Sequence, residues 1–214
     1  EELIKRAFSE DIPTEDITTK ALEINDRFGV AQLIAKQDLV LSGKDFFHQS
    51  LLHINPEFNI SWNFDDGQPI LNQQIIAQID GNMIDLLKAE RVALNFLGYF
   101  SGIATLTSQF VKACEGTACS ILDTRKTLPL YREFCKKAVH DGGGVNHRMN
   151  LSDGILIKEN HISIAQDLRK CIQLAQTHYP NEKIEIETKN LEEVQQAVTA
   201  QVHRIMLDNM SPCL

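Results

Sequence analysis

Charged and polar side chains follow four short apolar segments in the second half of the chain, and their types suit a small anionic ligand. The segments 119–123, 154–158, 183–187 and 204–208 are each predicted to be a strand. The carboxyl ends of parallel strands meet at one edge of a sheet or barrel, where ligands bind. The side chains expected to converge there are Arg125, Lys126, His147, Arg148, Lys158, Glu187 and Asp208.

The residue types in this set limit the chemical class of ligand that can bind. Arginine offers a planar fork for carboxylate or phosphate, and lysine offers a mobile point charge. Glu187 and Asp208 add negative charge, which suits Mg²⁺ or sugar hydroxyls. Three consecutive glycines, 142–144, allow the backbone to approach a bulky anion, although such a triplet is more often only a flexible turn. The set favours a phosphorylated sugar with a second anionic reactant, whereas any single member could be a structural cap at a barrel rim.

The elements that must position these residues alternate between strands and helices. Helical stretches near 129–140, 164–178 and 191–200 separate the four strands. This alternation is typical of βαβ units and a parallel sheet. Four such strands make about half of a (β/α)₈ barrel, which usually needs ~250 residues. An open doubly wound sheet is the alternative closure.

The first half of the chain has a different rhythm, which predicts a mixed sheet with helices against it. Strands are expected between Gly29 and Gly43, over 58–64, where apolar and polar residues alternate, and over 75–79. Helices are expected over 3–9, from Met83 to Phe100, and onward to Cys114 after a break at Ser101-Gly102.

The changes of rhythm and of charge near Gly116 predict two domains in an α/β chain. Residues 1–116 carry the whole net charge of −8, while residues 117–214 are balanced. We expect an N-terminal α/β sandwich domain over 1–112. A partial α/β-barrel catalytic domain with parallel strands is expected over 113–214.

Composition and charge exclude several classes of protein. A net-acidic chain with a local cationic stretch over 123–158 is a poor general binder of nucleic acid. No apolar run is long enough to span a bilayer, so no membrane partner is expected. The N-terminus lacks the apolar core of a secretion signal. The five cysteines form no CxxC pair, which favours a reducing, cytoplasmic compartment over a disulfide framework or a zinc site.

Several motifs, in order along the chain, closely resemble those of the quinolinate phosphoribosyltransferases. In the second half they are Asp123-Thr124-Arg125-Lys126-Thr127, Gly142-Gly143-Gly144-Val145-Asn146-His147-Arg148, Leu156-Ile157-Lys158-Glu159-Asn160-His161 and Met206-Leu207-Asp208-Asn209-Met210. In the first half they are Glu10-Asp11, Asp16-Ile17-Thr18-Thr19, Glu90-Arg91-Val92-Ala93-Leu94-Asn95 and Ser101-Gly102-Ile103-Ala104-Thr105. The similarity therefore covers nearly the whole chain.

The resemblance implies a pentosyltransferase of de novo NAD synthesis. Such an enzyme joins quinolinate to 5-phosphoribosyl-1-pyrophosphate (PRPP) with Mg²⁺ as cofactor, and gives nicotinate mononucleotide, pyrophosphate and CO₂. By the same resemblance, Arg125, His147, Arg148 and Lys158 would hold the two quinolinate carboxylates, with Thr124 also in the substrate-binding set. Lys126 would lie towards PRPP, with Glu187 and Asp208 near its ribose and Mg²⁺, directly or through water. The expected catalytic residues are Lys126, Lys158, Glu187 and Asp208.

The resemblance also implies a homodimer, because the family donates an arginine matching Arg91 into the partner's site. Leu87, Leu94 and Leu97 recur at helical spacing and predict one buried face, with Arg91 on or beside it. The alternative for Arg91 is a structural ion pair with Glu90 or with an acidic group on the barrel.

Two features depart from the family pattern. Leu130 follows Pro129 where the family has glycine, and we expect this to alter the start of a helix rather than the chemistry. The family chain also continues past the equivalent of Leu214, through further barrel strands and a glycine-rich loop for the PRPP 5-phosphate. Either the natural chain is longer or the barrel is incomplete. The alternative functions are a related phosphoribosyltransferase with another anionic substrate and an inactive truncated binding or assembly module.

Overall fold

The structure is a computed structural model of the chain, and it describes residues 1–23 and 27–211. Of these, residues up to 147 form one compact unit and residues 148–211 form another. The domain boundary expected after residue 112 falls inside the first unit, and it stays a prediction. Within the described ranges, no helix is both long enough and apolar enough to cross a membrane.

The first unit combines five helices and five strands among its described residues. Its helices are α1 (Glu2–Asp11), α2 (Ile17–Ala21), α3 (Lys44–Ile54), α4 (Met83–Ala113) and α5 (Arg132–Asp141). Its strands are β1 (Phe28–Ile34), β2 (Leu39–Val40), β3 (Asn59–Trp62), β4 (Pro69–Ile70) and β5 (Ile75–Asn82). β5 lies between β1 and β3 in an antiparallel sheet, and β2 pairs antiparallel with β4. This is the mixture of sheet and helices that the sequence predicts.

The core of the first unit is formed by apolar side chains of α3, α4 and the three-stranded sheet. Leu51, Ile79 and Phe100 are almost fully buried in it. Phe46 and Phe134 pack on this core with ring centroids 4.6 Å apart, nearly edge to face. Since Phe134 belongs to α5, aromatic packing fixes α5 to the rest of the unit.

The second unit is a run of βαβ elements with a parallel sheet. Its elements in chain order are β6 (Ile155–Ile157), α6 (Glu159–Ala165), α7 (Leu168–His178), β7 (Ile184–Thr188), α8 (Leu191–Thr199) and β8 (Arg204–Leu207). The strand order is β6-β7-β8. Three of the four predicted strands are therefore neighbours, and the α/β fold class is confirmed.

The segment 119–123 is not a strand, contrary to the prediction. It makes a single parallel bridge, between Leu122 and Val145 in the first unit. The ladder stops because the next backbone donor, the N–H of His147, bonds to the side chain of Asp123 at 2.8 Å instead of to its carbonyl. A side-chain acceptor thus replaces the backbone acceptor that would have extended the strand.

The helix break predicted at Ser101-Gly102 does not occur, because α4 continues through both residues. The Ser101 hydroxyl is buried, where it accepts a hydrogen bond from the Ser42 N–H at 3.1 Å and donates one to the Ser42 carbonyl at 3.0 Å. Tertiary contacts therefore override the weak helix propensity of serine and glycine. The buried face was also misassigned at one position, since Leu87 is exposed while Leu97 is buried.

The predicted helix 164–178 is instead two helices, and two further helices were not predicted. Gln166 has a φ of 58°, which ends α6, and the side chain of Asp167 caps α7 by accepting from the Lys170 N–H at 3.1 Å. Neither α2 nor α3 is among the predicted helices. The cap of α2 is Asp16, and hydrogen bonds from Thr19 lower the pKa of this carboxyl.

A close approach of α5 to α4 at Gly142 gives the first prediction. A Cβ atom at Gly142 would lie 2.3 Å from the carbonyl oxygen of Ala104. We therefore expect Gly142→Ala to lower the free energy of unfolding by about 1–3 kcal/mol, the usual cost of overpacking. Urea-induced unfolding followed by circular dichroism measures this change.

Gly102→Ala is the matched control, because Gly102 is exposed within α4 and a Cβ there would meet nothing within 4 Å. It should raise the free energy of unfolding by about 0.5–1 kcal/mol through helix propensity alone. Equal effects of the two substitutions would contradict the packing described at Gly142.

Candidate active site

The segment 124–127 carries two of the predicted ligand-binding cations, and α5 holds it in place. Arg132 in the first turn of α5 donates from Nη2 to the Arg125 carbonyl at 3.4 Å and from Nε to the Thr127 hydroxyl at 3.3 Å. The Thr124 hydroxyl accepts from the Lys126 N–H at 3.0 Å. Thr124 is thus engaged with its own segment, which leaves its expected role in substrate binding a prediction.

Arg125 offers a hydrogen-bond donor without a protein acceptor. Its Nε is buried and has no hydrogen-bond partner among the described residues. A buried guanidinium N–H without an acceptor is costly, so it favours an anionic group at this position. Lys126, by contrast, is exposed.

His147 is held to the same segment through a cluster of buried polar groups that the sequence did not single out. The Asp123 carboxylate forms an ion pair with Lys136 of α5 and accepts from the His147 N–H. Lys136 also donates to the His147 carbonyl at 2.8 Å. Nothing in the sequence distinguishes Lys136 from its neighbour Lys137, since both read as charged residues on the exposed face of a helix.

The glycine triplet before His147 has a packing role. Besides the contact of Gly142 with Ala104, a Cβ at Gly144 would lie 2.6 Å from a methyl group of Val139. Gly143 has a φ of 86°, in the left-handed region that favours glycine. Three separate constraints therefore require glycine here, and the approach of an anion to this loop stays a prediction.

In the second unit, the carboxyl ends of the parallel strands bring together Lys158 and Glu187, as predicted. Lys158 follows β6, and its Nζ lies 3.1 Å from Oε2 of Glu187 in β7, with the lysine side chain 46% exposed. Asp208 follows β8, and its N–H donates to the Thr188 carbonyl at 2.9 Å. Asn209, with a φ of 51°, donates from its amide to the Asp208 carboxylate at 3.0 Å.

Arg148 lines a cavity of about 440 Å³ in the second unit. Its Nη1 donates to the Gly154 carbonyl at 3.2 Å, which anchors one side of the guanidinium. The cavity is also lined by Ser152, His161 and Tyr179. His161 Nδ1 accepts from the Lys158 N–H at 2.9 Å, so the backbone that carries Lys158 is fixed by this ring.

The donor set for a divalent cation is small. Among residues 1–23 and 27–211, no group of three or more His, Cys, Asp and Glu side chains is arranged to hold a metal ion. Mg²⁺ is commonly held by one or two carboxylates together with substrate phosphates and water. Glu187 and Asp208, at the ends of neighbouring strands, fit that kind of site.

Arg91 lies on the exposed side of α4, away from the buried face. The predicted structural alternative was an ion pair with Glu90 or with an acidic group on the barrel. Within the described residues, Arg91 takes part in no ion pair. Because Arg91 is exposed and lies away from the buried face of α4, the prediction that it sits on or beside the buried stripe is wrong.

Comparison with known proteins relates nearly the whole chain to one family. Residues 16–101 match the N-terminal domain of quinolinate phosphoribosyl transferase, and residues 103–213 match its C-terminal domain. A probable nicotinate-nucleotide pyrophosphorylase of Synechocystis is 38% identical over 97% of this chain and 70% of its own length. A mitochondrial quinolinate phosphoribosyltransferase of Nicotiana tabacum is 36% identical over 98% of this chain and 62% of its own length.

A solved structure gives the same relationship. The nicotinate-nucleotide pyrophosphorylase from Francisella tularensis matches with a TM-score of 0.94 at 38% identity, over 98% of this chain and 74% of that one.

The departure at Leu130 has a local structural consequence that can be tested. Leu130 is exposed and has a φ of 68°, and α5 begins only at Arg132. The left-handed conformation costs a residue with a side chain about 1–2 kcal/mol of folding free energy. Glycine avoids this cost but loses more conformational entropy on folding, which cancels part of the gain. Leu130→Gly should therefore raise the free energy of unfolding by about 0.5–1 kcal/mol, measured by thermal unfolding.

Leu128→Gly is the control, because Leu128 is also exposed but has no positive φ. It should lower the stability instead. Destabilisation by both substitutions would show that the conformation of Leu130 carries no strain.

Proposed function

Because this chain belongs to the quinolinate phosphoribosyltransferase family, we propose that the protein joins quinolinate to PRPP and releases pyrophosphate and CO₂. The family expected from the sequence is confirmed, and the relative from Nicotiana tabacum is named as a decarboxylating quinolinate phosphoribosyltransferase. The chain spans 62% to 70% of the first curated relatives it matches, so the activity is proposed for the protein as a whole. The product is nicotinate mononucleotide.

The observation that carries this proposal is the placement of Lys158, Glu187 and Asp208 after β6, within β7 and after β8. These are successive carboxyl ends of a parallel sheet, where such folds bind their ligands. The Lys158–Glu187 pair is partly exposed, so its two charges are available to exchange partners. A substrate carboxylate can take Lys158 while Glu187 accepts from a ribose hydroxyl.

Each cation has a role in the proposed reaction. The two carboxylates of quinolinate are bound by Arg125, His147, Arg148 and Lys158. This binding orients the ring nitrogen of quinolinate towards C1 of the ribose. The nitrogen forms a bond to C1 as pyrophosphate leaves, and Lys126 stabilises the negative charge on the departing oxygen. The carboxylate next to the nitrogen is then lost as CO₂. The electron pair of the broken C–C bond stays on the ring carbon, where the adjacent positive ring nitrogen stabilises it, and a proton from water then replaces the carboxylate.

Glu187 and Asp208 complete the proposed site on the side of PRPP. Their negative charge stabilises the positive charge that develops on the ribose as the leaving group departs. They are also the residues that would hold Mg²⁺, directly or through water. When bound, Mg²⁺ supplies positive charge to the pyrophosphate oxygens.

We propose a homodimer in which Arg91 reaches the partner's site. Leu87, Leu106 and Phe110 of α4 are each more than half exposed, and with Arg91 they recur at intervals close to whole helical turns. An exposed helix face on which apolar side chains surround Arg91 supports an isologous contact between two copies. The cytoplasm is the proposed compartment, because the four described cysteines are free thiols.

Arg148→Ala tests the proposed binding of quinolinate. Each charge-assisted hydrogen bond is worth about 1.5–3 kcal/mol, so the substitution should weaken quinolinate binding by roughly 10- to 200-fold. Arg148→Lys should restore little of the affinity for quinolinate, because lysine lacks the planar guanidinium that binds a carboxylate through two hydrogen bonds. Titration calorimetry on the full-length protein measures the affinity, and Arg169→Ala, an exposed position on α7, serves as the control. Unchanged affinity of Arg148→Ala would remove Arg148 from the site.

Mixing two inactive variants tests the shared site. Arg91→Ala and Lys158→Ala subunits should form hybrid dimers in which one site carries both lesions and the other carries neither. Activity should therefore partly return, as measured by formation of nicotinate mononucleotide. No recovery despite proven subunit exchange would leave Arg91 outside the partner's site.

A further inference from the structure

Lys136 and Asp123 form an ion pair that is closed to solvent. Their side chains are 1% and 5% exposed. Lys136 projects from α5 between Cys135 and Lys137, and Asp123 lies just after the bridge residue Leu122. Burying two charges is costly unless their remaining hydrogen-bonding groups are also satisfied. The other contacts of the pair therefore show what this arrangement holds together.

Those contacts converge on the backbone of His147. Asp123 Oδ1 accepts from the His147 N–H at 2.8 Å, and Lys136 Nζ donates to the His147 carbonyl at 2.8 Å. Asn146 closes the cluster when its amide is oriented to donate to Asp123 Oδ2 at 2.8 Å and to the Lys136 carbonyl at 2.9 Å. The N–H and the carbonyl of His147 are thus hydrogen-bonded to the two members of a buried ion pair.

This cluster stands where the backbone ladder between 121–123 and 145–147 ends. The Val145 N–H bonds to the Ile121 carbonyl at 2.8 Å, and the Asp123 N–H bonds to the Val145 carbonyl at 3.2 Å. The following donor, His147 N–H, goes to the Asp123 side chain. The backbone after Asp123 is therefore free to turn into Thr124 and Arg125 while His147 stays fixed beside it.

We infer that Lys136 and Asp123 are positioning residues that hold His147 at a set distance from the Arg125 segment. This inference rests on the proposed function, in which His147 and Arg125 bind quinolinate carboxylates. Lys136 is buried and fully engaged, so it does not reach the ligand itself. Its charge neutralises Asp123, which would otherwise compete with the substrate for the nearby cations.

The experiment uses the full-length protein and two variants. Lys136→Met leaves the Asp123 carboxylate buried without a cation, which can prevent folding. The double variant Lys136→Met with Asp123→Leu replaces the ion pair by apolar side chains of similar size, and so removes both charges together with both side-chain contacts to the His147 backbone. In the double variant we expect the KM for quinolinate to rise about 10- to 100-fold, because small displacements of binding groups have effects of that size. The KM for PRPP should change much less.

Hydrogen–deuterium exchange of the His147 amide tests the positioning independently of ligand and activity, and it should be faster in the double variant. Lys137→Met is the matched control: Lys137 is the next residue of α5, and it pairs with Asp66 and Asp141 at 2.7 Å. This control should leave both the exchange and the KM for quinolinate unchanged.

The possible failures are distinguishable. Unchanged His147 exchange in the double variant overturns the inference. Faster exchange with an unchanged KM for quinolinate overturns the link to substrate binding. A wild-type protein that does not bind quinolinate contradicts the proposed function instead, and the exchange measurement still decides whether Lys136 and Asp123 hold His147.

Discussion

Burial of one face of α4 is the interaction on which the first unit depends. This 31-residue helix packs against α3, α5 and β2, and its buried residues run from Ile84 to Thr107. Fully burying one phenylalanine or leucine is worth about 1.5–3 kcal/mol, so this face outweighs the local preferences of individual residues. The continuity of the helix, the position of the loop that ends at His147 and the exposure of Arg91 all follow from which side of α4 is buried.

Two ion pairs show how one kind of interaction can serve different ends. Lys158 and Glu187 are partly exposed, and such pairs contribute about 0–1 kcal/mol to stability. They can part at little cost when a ligand enters. Lys136 and Asp123 are buried, so breaking that pair leaves a charge without compensation. The first pair is suited to exchange with ligands, and the second is suited to holding the backbone in place.

The second unit could be predicted well because its strands are short apolar runs between helices, and this pattern is local. The same reasoning located Lys158, Glu187 and Asp208, since residues at the carboxyl ends of buried parallel strands lie at one edge of the sheet. It failed at Ser101 and Asp123, where a side chain bonds to a distant backbone group. It could not find Lys136 either, because burial of a lysine depends on a partner thirteen positions away in the chain. Contacts of that kind leave no periodic signal.

The uninterrupted course of α4 also bears on how the family's two sequence modules are related. The two matches meet between residues 101 and 103, in the middle of this helix. Phe100, Ser101 and Ala104 are all buried around that point. The boundary between the two sequence modules is therefore not a boundary between structural units. Recombination at this point would join two halves of one helix, and their apolar faces would have to match.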